Sequence, residues 1–309
     1  MIAFLFPGQG AQKVGMGKAL ADSFAEARET FAQADAAFDG PLSSLCFEGP
    51  EDQLMLTEHT QPAILAVSVA AARVLAAHGV QPDIVAGHSL GEYSANVVAG
   101  TFQFEDAVGI VRRRGRYMQE AVPVGQGAMA AILGLDAATV ARACQEAAQG
   151  DVVSPANVNG AGQVVIAGAT TAVQRAGERA KALGARRVIP LAVSAPFHCA
   201  LMKPAEERLA PELRALAVQD PRVPVVANVD AQPRRDAKSA IEALVQQVSS
   251  PVLWEAIVHR LASEGVTTYV EVGPGRVLSG LVKKIHKDAE VLAFGGPEDL
   301  EAIVARPVR

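Results

Sequence analysis

The chain has 309 residues, of which 50% are apolar and 20% are charged. This length can form one large domain or two unequal domains with a sizeable core, and the composition is that of an ordinary globular protein. The formal net charge of −5 provides no general attraction to nucleic acid or to an anionic membrane surface, so we expect neither as a partner.

The N-terminus and the cysteines predict a reduced, cytoplasmic protein. The apolar run Ile2 to Phe6 is too short for a signal peptide and lacks a basic leader. No apolar run is expected to reach the roughly 18 residues that a membrane helix needs. The three cysteines, Cys46, Cys144 and Cys199, have no metal or redox spacing, so we expect small buried side chains and no metal site.

The first strands and helices in chain order follow the pattern of a parallel α/β sheet. Ile2 to Phe6 and Ile84 to Ala86 are short apolar runs that end in glycine-containing turns, and Glu92 to Ala99 follows the second run as a helix. Thr268 to Val272 is a third predicted strand, and the tail after Gly295 is expected to be loosely held. Further helices are predicted at 16–38, 62–78, 104–121, 202–217, 238–248 and 252–264.

The middle of the chain has a different order of elements. Strands are predicted at 128–133, 152–158, 163–167 and 186–191, with helices at 137–148 and 171–183. This βαββαβ order is typical of a ferredoxin-like unit. We therefore predict a small ferredoxin-like domain, 124–195, inserted into a large α/β-hydrolase-like domain made of 1–123 and 196–309. The cleft between two such domains is a natural ligand site.

A nucleophilic serine is predicted at Ser89. The segment Gly87-His88-Ser89-Leu90-Gly91 lies between a strand and a helix, where Gly-x-Ser-x-Gly forms a sharp turn that exposes the serine hydroxyl. The helix N-terminus favours developing negative charge, and the Leu90 N–H is the first donor for an oxyanion. A glycine-rich turn without chemistry remains the alternative for the motif alone.

The base for Ser89 is expected to be His198. The six histidines are His59, His78, His88, His198, His259 and His286. His88 neighbours Ser89 but should point away from it. His198 lies in a proline-containing loop where the small domain rejoins the large one, a position suited to function. A histidine packed at a domain junction is the alternative. The other four are expected to be solvated.

One arginine of the helix predicted at 104–121 is expected to face inward. The apolar stripe of that helix consists of Phe104, Val108, Val111, Gly115, Met118 and Val122. Arg113 and Arg116 point away from the stripe, whereas Arg114 flanks it on the side of Ala107 and Ile110. An inward guanidinium favours a carboxylate or phosphate partner, held by two hydrogen bonds. The alternative is a solvated basic helix face.

Together these motifs resemble the malonyl-CoA:acyl carrier protein transacylases of fatty-acid synthesis over nearly the whole chain. The matching segments are Phe6-Pro7-Gly8-Gln9-Gly10-Ala11-Gln12, Gly87-His88-Ser89-Leu90-Gly91-Glu92-Tyr93-Ser94, Arg114-Gly115, Ala156-Asn157-Val158-Asn159, Phe197-His198-Cys199-Ala200-Leu201-Met202 and Glu271-Val272-Gly273-Pro274-Gly275. The resemblance implies a ping-pong transfer of malonyl from coenzyme A to the phosphopantetheine thiol of acyl carrier protein, with no further cofactor.

The resemblance also assigns roles to residues. Ser89 would carry the acyl group and His198 would act as base and acid. Gln9 and Leu90 would donate backbone N–H groups to the oxyanion, and the backbone carbonyl of Gln247 would orient the histidine in place of an acidic residue. Substrate binding falls to Arg114, Phe197, Asn157 and Asn159, with Arg114 holding the malonyl carboxylate and Phe197 narrowing the pocket against an extra methyl group.

Three other interpretations remain open at this stage. The serine turn equally fits a thioesterase or other serine hydrolase, and a catalytically inactive carrier-binding module is a second possibility. A malonyltransferase of a polyketide pathway has the same motifs as one of fatty-acid synthesis. We expect a monomer whose acidic carrier protein binds exposed cations, for which the candidates are Lys283, Lys284, Lys287, Arg113 and Arg116.

Overall fold

The fold, seen in a computed structural model that describes residues 1–193 and 195–305, contains two separate sheets. The strands of the described residues are β1 (Ile2–Phe6), β2 (Ile84–Gly87), β3 (Gly127–Leu133), β4 (Val153–Gly160), β5 (Gln163–Ala169), β6 (Arg187–Pro190), β7 (Val225–Val226), β8 (Pro233–Arg234), β9 (Thr268–Val272) and β10 (Glu290–Phe294). The mixed α/β class predicted from the sequence is confirmed.

The helices alternate with the strands along much of the chain. They are α1 (Lys18–Ser23), α2 (Ala25–Phe38), α3 (Leu42–Glu48), α4 (Glu51–Leu54), α5 (Thr57–Ala77), α6 (Leu90–Ala99), α7 (Phe104–Glu120), α8 (Ala137–Ala147), α9 (Thr170–Ala182), α10 (Lys203–Arg214), α11 (Ala237–Gln247), α12 (Trp254–Ser263), α13 (Val277–Ile285) and α14 (Leu300–Val304). Short 3₁₀ turns occupy Ala200–Met202 and Pro297–Asp299.

The larger sheet has the strand order β10-β9-β1-β2-β7-β8 and is parallel except for the β7–β8 pair. Both faces are covered, as parallel sheets require. Phe4 and Phe6 of β1 join the core on the side of α5, whereas Ala3 and Leu5 pack with side chains of α12 and α13 on the other side. The pairing of Phe6 with Gly87 brings the carboxyl ends of β1 and β2 together, which positions the turns that follow them.

The smaller sheet is antiparallel and has the order β4-β5-β3-β6. Its helices, α8 and α9, bury Val140 and Val173 against it. Strand β4 also contacts the rest of the protein, because the Val158 N–H donates to the Val252 carbonyl at 2.8 Å. The elements of this sheet lie within the predicted span 124–195. Position 194 of this span and positions 306–309 of the other predicted domain lie outside the described residues.

Helix α5 forms the centre of the larger core. By length and mean hydropathy alone α5 could cross a membrane, but 83% of that stretch is buried inside the protein. A buried core helix has these same properties. The three cysteines are free and buried, in agreement with their expected role as small core side chains.

Two sequence predictions about local structure were wrong. The single helix predicted at 16–38 is divided at Phe24, whose backbone is extended with φ −124° and ψ 134°. The tail after Gly295 is ordered through residue 305, since Asp299 accepts the Gly295 N–H at 3.0 Å and Ile303 of α14 is buried. These contacts tie the tail to the larger core, which composition alone did not indicate.

Candidate active site

The turn after β2 holds Ser89 in a conformation that few residues other than glycine adopt. Ser89 has φ 52° and ψ −108° and directly precedes α6. A Cβ on Gly87 would lie 1.9 Å from the Gly91 backbone, and one on Gly91 would lie 2.0 Å from the Phe6 carbonyl oxygen. Glycine is therefore required at both positions for the turn to close against β1.

The backbone of Ser89 is held from both sides by side chains distant in sequence. Its N–H donates to Asn228 Oδ1 at 2.7 Å, and its carbonyl accepts from Gln247 Nε2 at 2.9 Å. Asn228 Nδ2 also donates to the Gly87 carbonyl at 2.7 Å. These bonds compensate for the strained backbone and fix the direction of the hydroxyl.

The hydroxyl of Ser89 lies 2.6 Å from His198 Nε2. On the far side of the ring, His198 Nδ1 lies 3.0 Å from the Gln247 carbonyl and 3.2 Å from the Ser250 carbonyl. Because both carbonyls can only accept, Nδ1 carries the proton and Nε2 is left to accept from the serine. The order serine, histidine, carbonyl is that of an activated nucleophile.

The electrostatic surroundings keep His198 neutral. Burial, and after it the positive charge of Arg114, lowers the pKa of His198 to about 3, although the hydrogen bonds to the two carbonyls act in the opposite direction. The imidazole is thus uncharged throughout the neutral pH range. It can accept a proton, and the positive charge that results must be balanced by negative charge arriving with a substrate.

Arg114 of α7 is the charged side chain nearest the nucleophile. It is 1% exposed, and its Nη2 lies 3.2 Å from Ser89 Oγ. Nη1 donates to Gln61 Oε1 and Nη2 donates to Gln247 Oε1, each at 2.8 Å. All of these partners are neutral, and Nε has no hydrogen-bond partner among the described residues. A buried guanidinium that makes no direct ion pair with any described residue and lies beside the Ser89 hydroxyl is suited to bind a substrate carboxylate.

The two expected oxyanion donors lie at the ends of adjacent strands. Gln9 follows β1, and Leu90 is the first residue of α6 after β2. The Gln9 side chain is exposed and approaches Thr57 Oγ1 at 3.4 Å. A Cβ on Gly8 would lie 2.4 Å from the His88 carbonyl oxygen, so glycine allows the loop carrying Gln9 to approach the serine turn closely.

Comparison with known proteins connects this geometry to a family. The family described as "Acyl transferase domain" matches residues 3–296. The chain belongs to the acyl transferase family. It is 52% identical over 301 residues to the malonyl CoA-acyl carrier protein transacylase of Escherichia coli strain K12, an alignment that covers 97% of each chain.

Solved structures agree with this assignment of the acyl transferase. The acyl carrier protein S-malonyltransferase of Vibrio cholerae is 48% identical and superimposes with a TM-score of 0.96 over 98% of this chain and 99% of the other. A malonyl-transacylase solved in complex with a type II PKS acyl-carrier protein is 48% identical, with a TM-score of 0.96 and 99% coverage of both chains.

In the described part of this acyl transferase, three residues expected to bind substrate form no hydrogen bond to Ser89, His198 or Arg114. Asn159 Oδ1 lies 2.9 Å from His88 Nε2, beside the turn. Asn157 is half-buried, and its Oδ1 has no hydrogen-bond partner among the described residues. Phe197 is buried next to His198 in sequence, with 8% exposed. Their expected roles stay predictions.

Sequence reasoning missed part of the hydrogen-bond network of the acyl transferase. Glu92 was identified as the start of a helix and as part of a matching motif but was given no role, Asn228 was not considered, and Gln247 was assigned only a backbone role. In the structure the Glu92 carboxylate accepts from Gln247 Nε2 at 2.8 Å and from the Asn228 N–H at 3.0 Å. A charged residue directly after the serine turn, the one charged side chain of α6, was the local signal available.

The cations suggested for carrier binding differ in their surroundings. Lys283, Lys284 and Lys287 are exposed near the end of α13. Arg113 pairs with Glu212, and Arg116 lies 4.0 Å from Glu120. Both arginines therefore lie near carboxylates of this chain, and the three lysines are exposed.

Proposed function

We propose that this acyl transferase moves a malonyl group from malonyl-CoA to the phosphopantetheine thiol of acyl carrier protein, through a malonyl ester on Ser89, for fatty-acid biosynthesis. The observation that carries the proposal is the buried Arg114, whose Nη2 lies 3.2 Å from Ser89 Oγ and whose hydrogen-bond partners among the described residues are all neutral. A guanidinium in this position selects acyl groups that end in a carboxylate.

The first half-reaction begins with the neutral His198. Its Nε2 takes the proton of Ser89 Oγ, and the oxygen attacks the thioester carbonyl of malonyl-CoA. Negative charge on the carbonyl oxygen is stabilised by the N–H groups of Gln9 and Leu90, each worth about 2.7–4 kcal/mol in comparable sites. The C–S bond then breaks, and the proton on His198 passes to the departing coenzyme A thiolate. Arg114 holds the malonyl carboxylate and so aligns the carbonyl.

The second half-reaction reverses these steps with a different thiol. The phosphopantetheine thiol gives its proton to His198 and attacks the malonyl ester. The ester C–O bond breaks, and His198 returns the proton to Ser89 Oγ. No step requires a metal ion or a redox cofactor, so we propose that the enzyme uses none.

Two alternatives differ in acceptor or pathway. Hydrolysis would use the same serine and histidine, but the His198 Nδ1 partners are the carbonyls of Gln247 and Ser250, where hydrolases of this kind keep a carboxylate. A polyketide pathway is favoured by one observation, the relative solved with a type II PKS acyl-carrier protein. The chemistry of the site is the same for both pathways.

Trapping the acyl-enzyme tests the proposal. Radiolabelled malonyl-CoA should label the wild-type protein at Ser89, and Ser89→Ala should not accumulate label. Adding acyl carrier protein bearing phosphopantetheine should move the label to the carrier faster than water releases it. Labelled Ser89→Ala would contradict the nucleophile, and release to water at the same rate with and without carrier would favour the hydrolase.

Several finer features belong to the same proposal. The order β4-β5-β3-β6 with α8 and α9 supports a ferredoxin-like small domain, and the serine turn after β2 supports an α/β-hydrolase-like large domain. We further propose a cytoplasmic monomer in which the exposed Lys283, Lys284 and Lys287 attract the acidic carrier protein. Such attraction should weaken as salt is added.

Specificity within the proposed function involves Phe197. A ring beside the catalytic histidine narrows the acyl pocket, so methylmalonyl-CoA would be a poorer substrate than malonyl-CoA. One additional methyl group typically changes selectivity by about 1–3 kcal/mol. Asn157 and Asn159, on the strand of the smaller sheet that contacts the rest of the protein, are proposed to line the path of the substrate.

A further inference from the structure

A buried carboxylate that takes no part in the proposed proton transfers lies directly behind the nucleophile. Glu92, in the first turn of α6, is 1% exposed. Its Oε2 accepts from Gln247 Nε2 at 2.8 Å and from the Asn228 N–H at 3.0 Å. Asn228 and Gln247 are also the two residues that hold the N–H and the carbonyl of Ser89. Glu92 therefore connects both sides of the serine turn.

The side-chain amide of Gln247 has its orientation fixed by these contacts. Its NH₂ group faces the Glu92 carboxylate and the Ser89 carbonyl, and both can accept a hydrogen bond. The amide oxygen is consequently directed at Arg114 Nη2, 2.8 Å away. Reversing the amide would place its oxygen against two acceptors and its NH₂ against a guanidinium, leaving buried groups unpaired.

We propose that Glu92 is a positioning residue, whose carboxylate holds Gln247 and Asn228 so that Ser89 and Arg114 keep their places beside His198. Gln247 connects these groups. Its backbone carbonyl accepts a hydrogen bond from His198 Nδ1, and its side chain is hydrogen-bonded to Arg114, Ser89 and Glu92. The link from Glu92 to Ser89 is independent of substrate identity. The link to Arg114 rests on the proposed malonyl transfer.

The acceptor geometry of Glu92, rather than its charge, is the property that matters in this proposal. Burial raises the pKa of Glu92 to about 7, so the group is only partly ionised near neutral pH. A neutral glutamine at this position retains an oxygen that can accept from both donors. Aspartate keeps the ability to ionise but withdraws the oxygens by one methylene, and leucine removes the acceptor.

The test compares Glu92→Gln, Glu92→Asp and Glu92→Leu in two assays. The first is the rate at which a fluorophosphonate, which needs only a reactive serine, labels Ser89. The second is the ratio of kcat/KM for malonyl-CoA to that for acetyl-CoA. Glu271→Gln is a matched control, since Glu271 is equally buried but accepts from the N–H groups of Leu278 and Ser279 at the start of α13. Melting temperatures establish that each variant is folded.

Small displacements of catalytic groups can reduce rates about 100-fold, and a loss of this order in fluorophosphonate labelling is expected for Glu92→Leu. Glu92→Gln should label at nearly the wild-type rate and Glu92→Asp more slowly than Glu92→Gln, while Glu271→Gln is unchanged. The malonyl-to-acetyl ratio should fall in Glu92→Leu, an effect that general loss of stability would not produce.

The proposal is overturned if folded Glu92→Leu labels at the wild-type rate, or if Glu92→Asp labels faster than Glu92→Gln. The second comparison decides the matter even where Glu92→Leu does not fold. If the wild type reacts with the fluorophosphonate but not with malonyl-CoA, malonyl transfer is wrong, and the order of the labelling rates still tests the role of Glu92.

Discussion

Replacing Arg114 by alanine should abolish the preference for an acyl group with a free carboxylate. The guanidinium is 1% exposed and directs Nη2 toward Ser89 Oγ. A carboxylate bound by two charge-assisted hydrogen bonds gains about 1.5–3 kcal/mol from each. Losing both should lower kcat/KM for malonyl-CoA by about 3–6 kcal/mol, or about 10²–10⁴-fold. Acetyl-CoA has no carboxylate, and its kcat/KM should change little.

The assay measures kcat/KM for malonyl-, methylmalonyl- and acetyl-CoA on the wild type, Arg114→Ala and Arg113→Ala. Arg113 is one residue away on α7 but forms its ion pair with Glu212, so its replacement controls for changes to the helix. An equal loss for malonyl-CoA and acetyl-CoA in Arg114→Ala would refute the reasoning. It would mean that Arg114 supports the nucleophile and does not recognise the substrate carboxylate.

Three further predictions concern the serine turn and its ionisable neighbours. In Gly91→Ala, the new Cβ would lie 2.0 Å from the Phe6 carbonyl oxygen, so we expect a lower melting temperature and loss of malonyl labelling, with a destabilisation of about 1–3 kcal/mol. Burial, and after it the positive charge of Arg114, lowers the pKa of His198 to about 3. Arg114→Ala removes this charge and should raise the pKa of His198, so the loss of fluorophosphonate labelling at acid pH should begin at a higher pH. For Glu92, burial raises the pKa from 4.5 to about 7, so the folded protein retains a proton that the unfolded chain releases between these values. The wild type should therefore lose stability as the pH rises across this range. The melting temperature of Glu92→Gln minus that of the wild type should increase over the same range. A constant difference across this range would contradict the raised pKa.

Local sequence patterns predicted many of the longer elements, although α13 and β10 were missed. The strands at 2–6 and 268–272 and the helix at 104–121 agree with β1, β9 and α7 to within one residue. The strands β7 and β8 were missed because two residues cannot show a period. The break at Phe24 was also missed, because no glycine or proline marks it.

The candidate site divides in a similar way. Ser89 and Arg114 could be proposed from a turn motif and a helical wheel, because the neighbours that suggest them lie within one turn of helix. Asn228 and Gln247 are 139 and 158 residues from Ser89 along the chain. Their side-chain roles depend on how α11 and the segment after β7 fold back onto α6, so no local pattern indicates them.

The choice between transfer and hydrolysis is also a matter of base strength. His198, with a pKa of about 3, is a weak base. A thiol such as that of phosphopantetheine releases its proton near the ordinary thiol pKa of about 8.5, whereas bulk water requires about 15.7. The difference between the pKa of the group to be deprotonated and the pKa of the base is therefore about seven units smaller for a thiol than for water. A carboxylate behind His198 would raise its basicity and so make water easier to activate, whereas the neutral carbonyls of Gln247 and Ser250 orient the ring without adding a negative charge. Carbonyls in this position thus favour passing the acyl group to a carrier thiol over losing it to solvent.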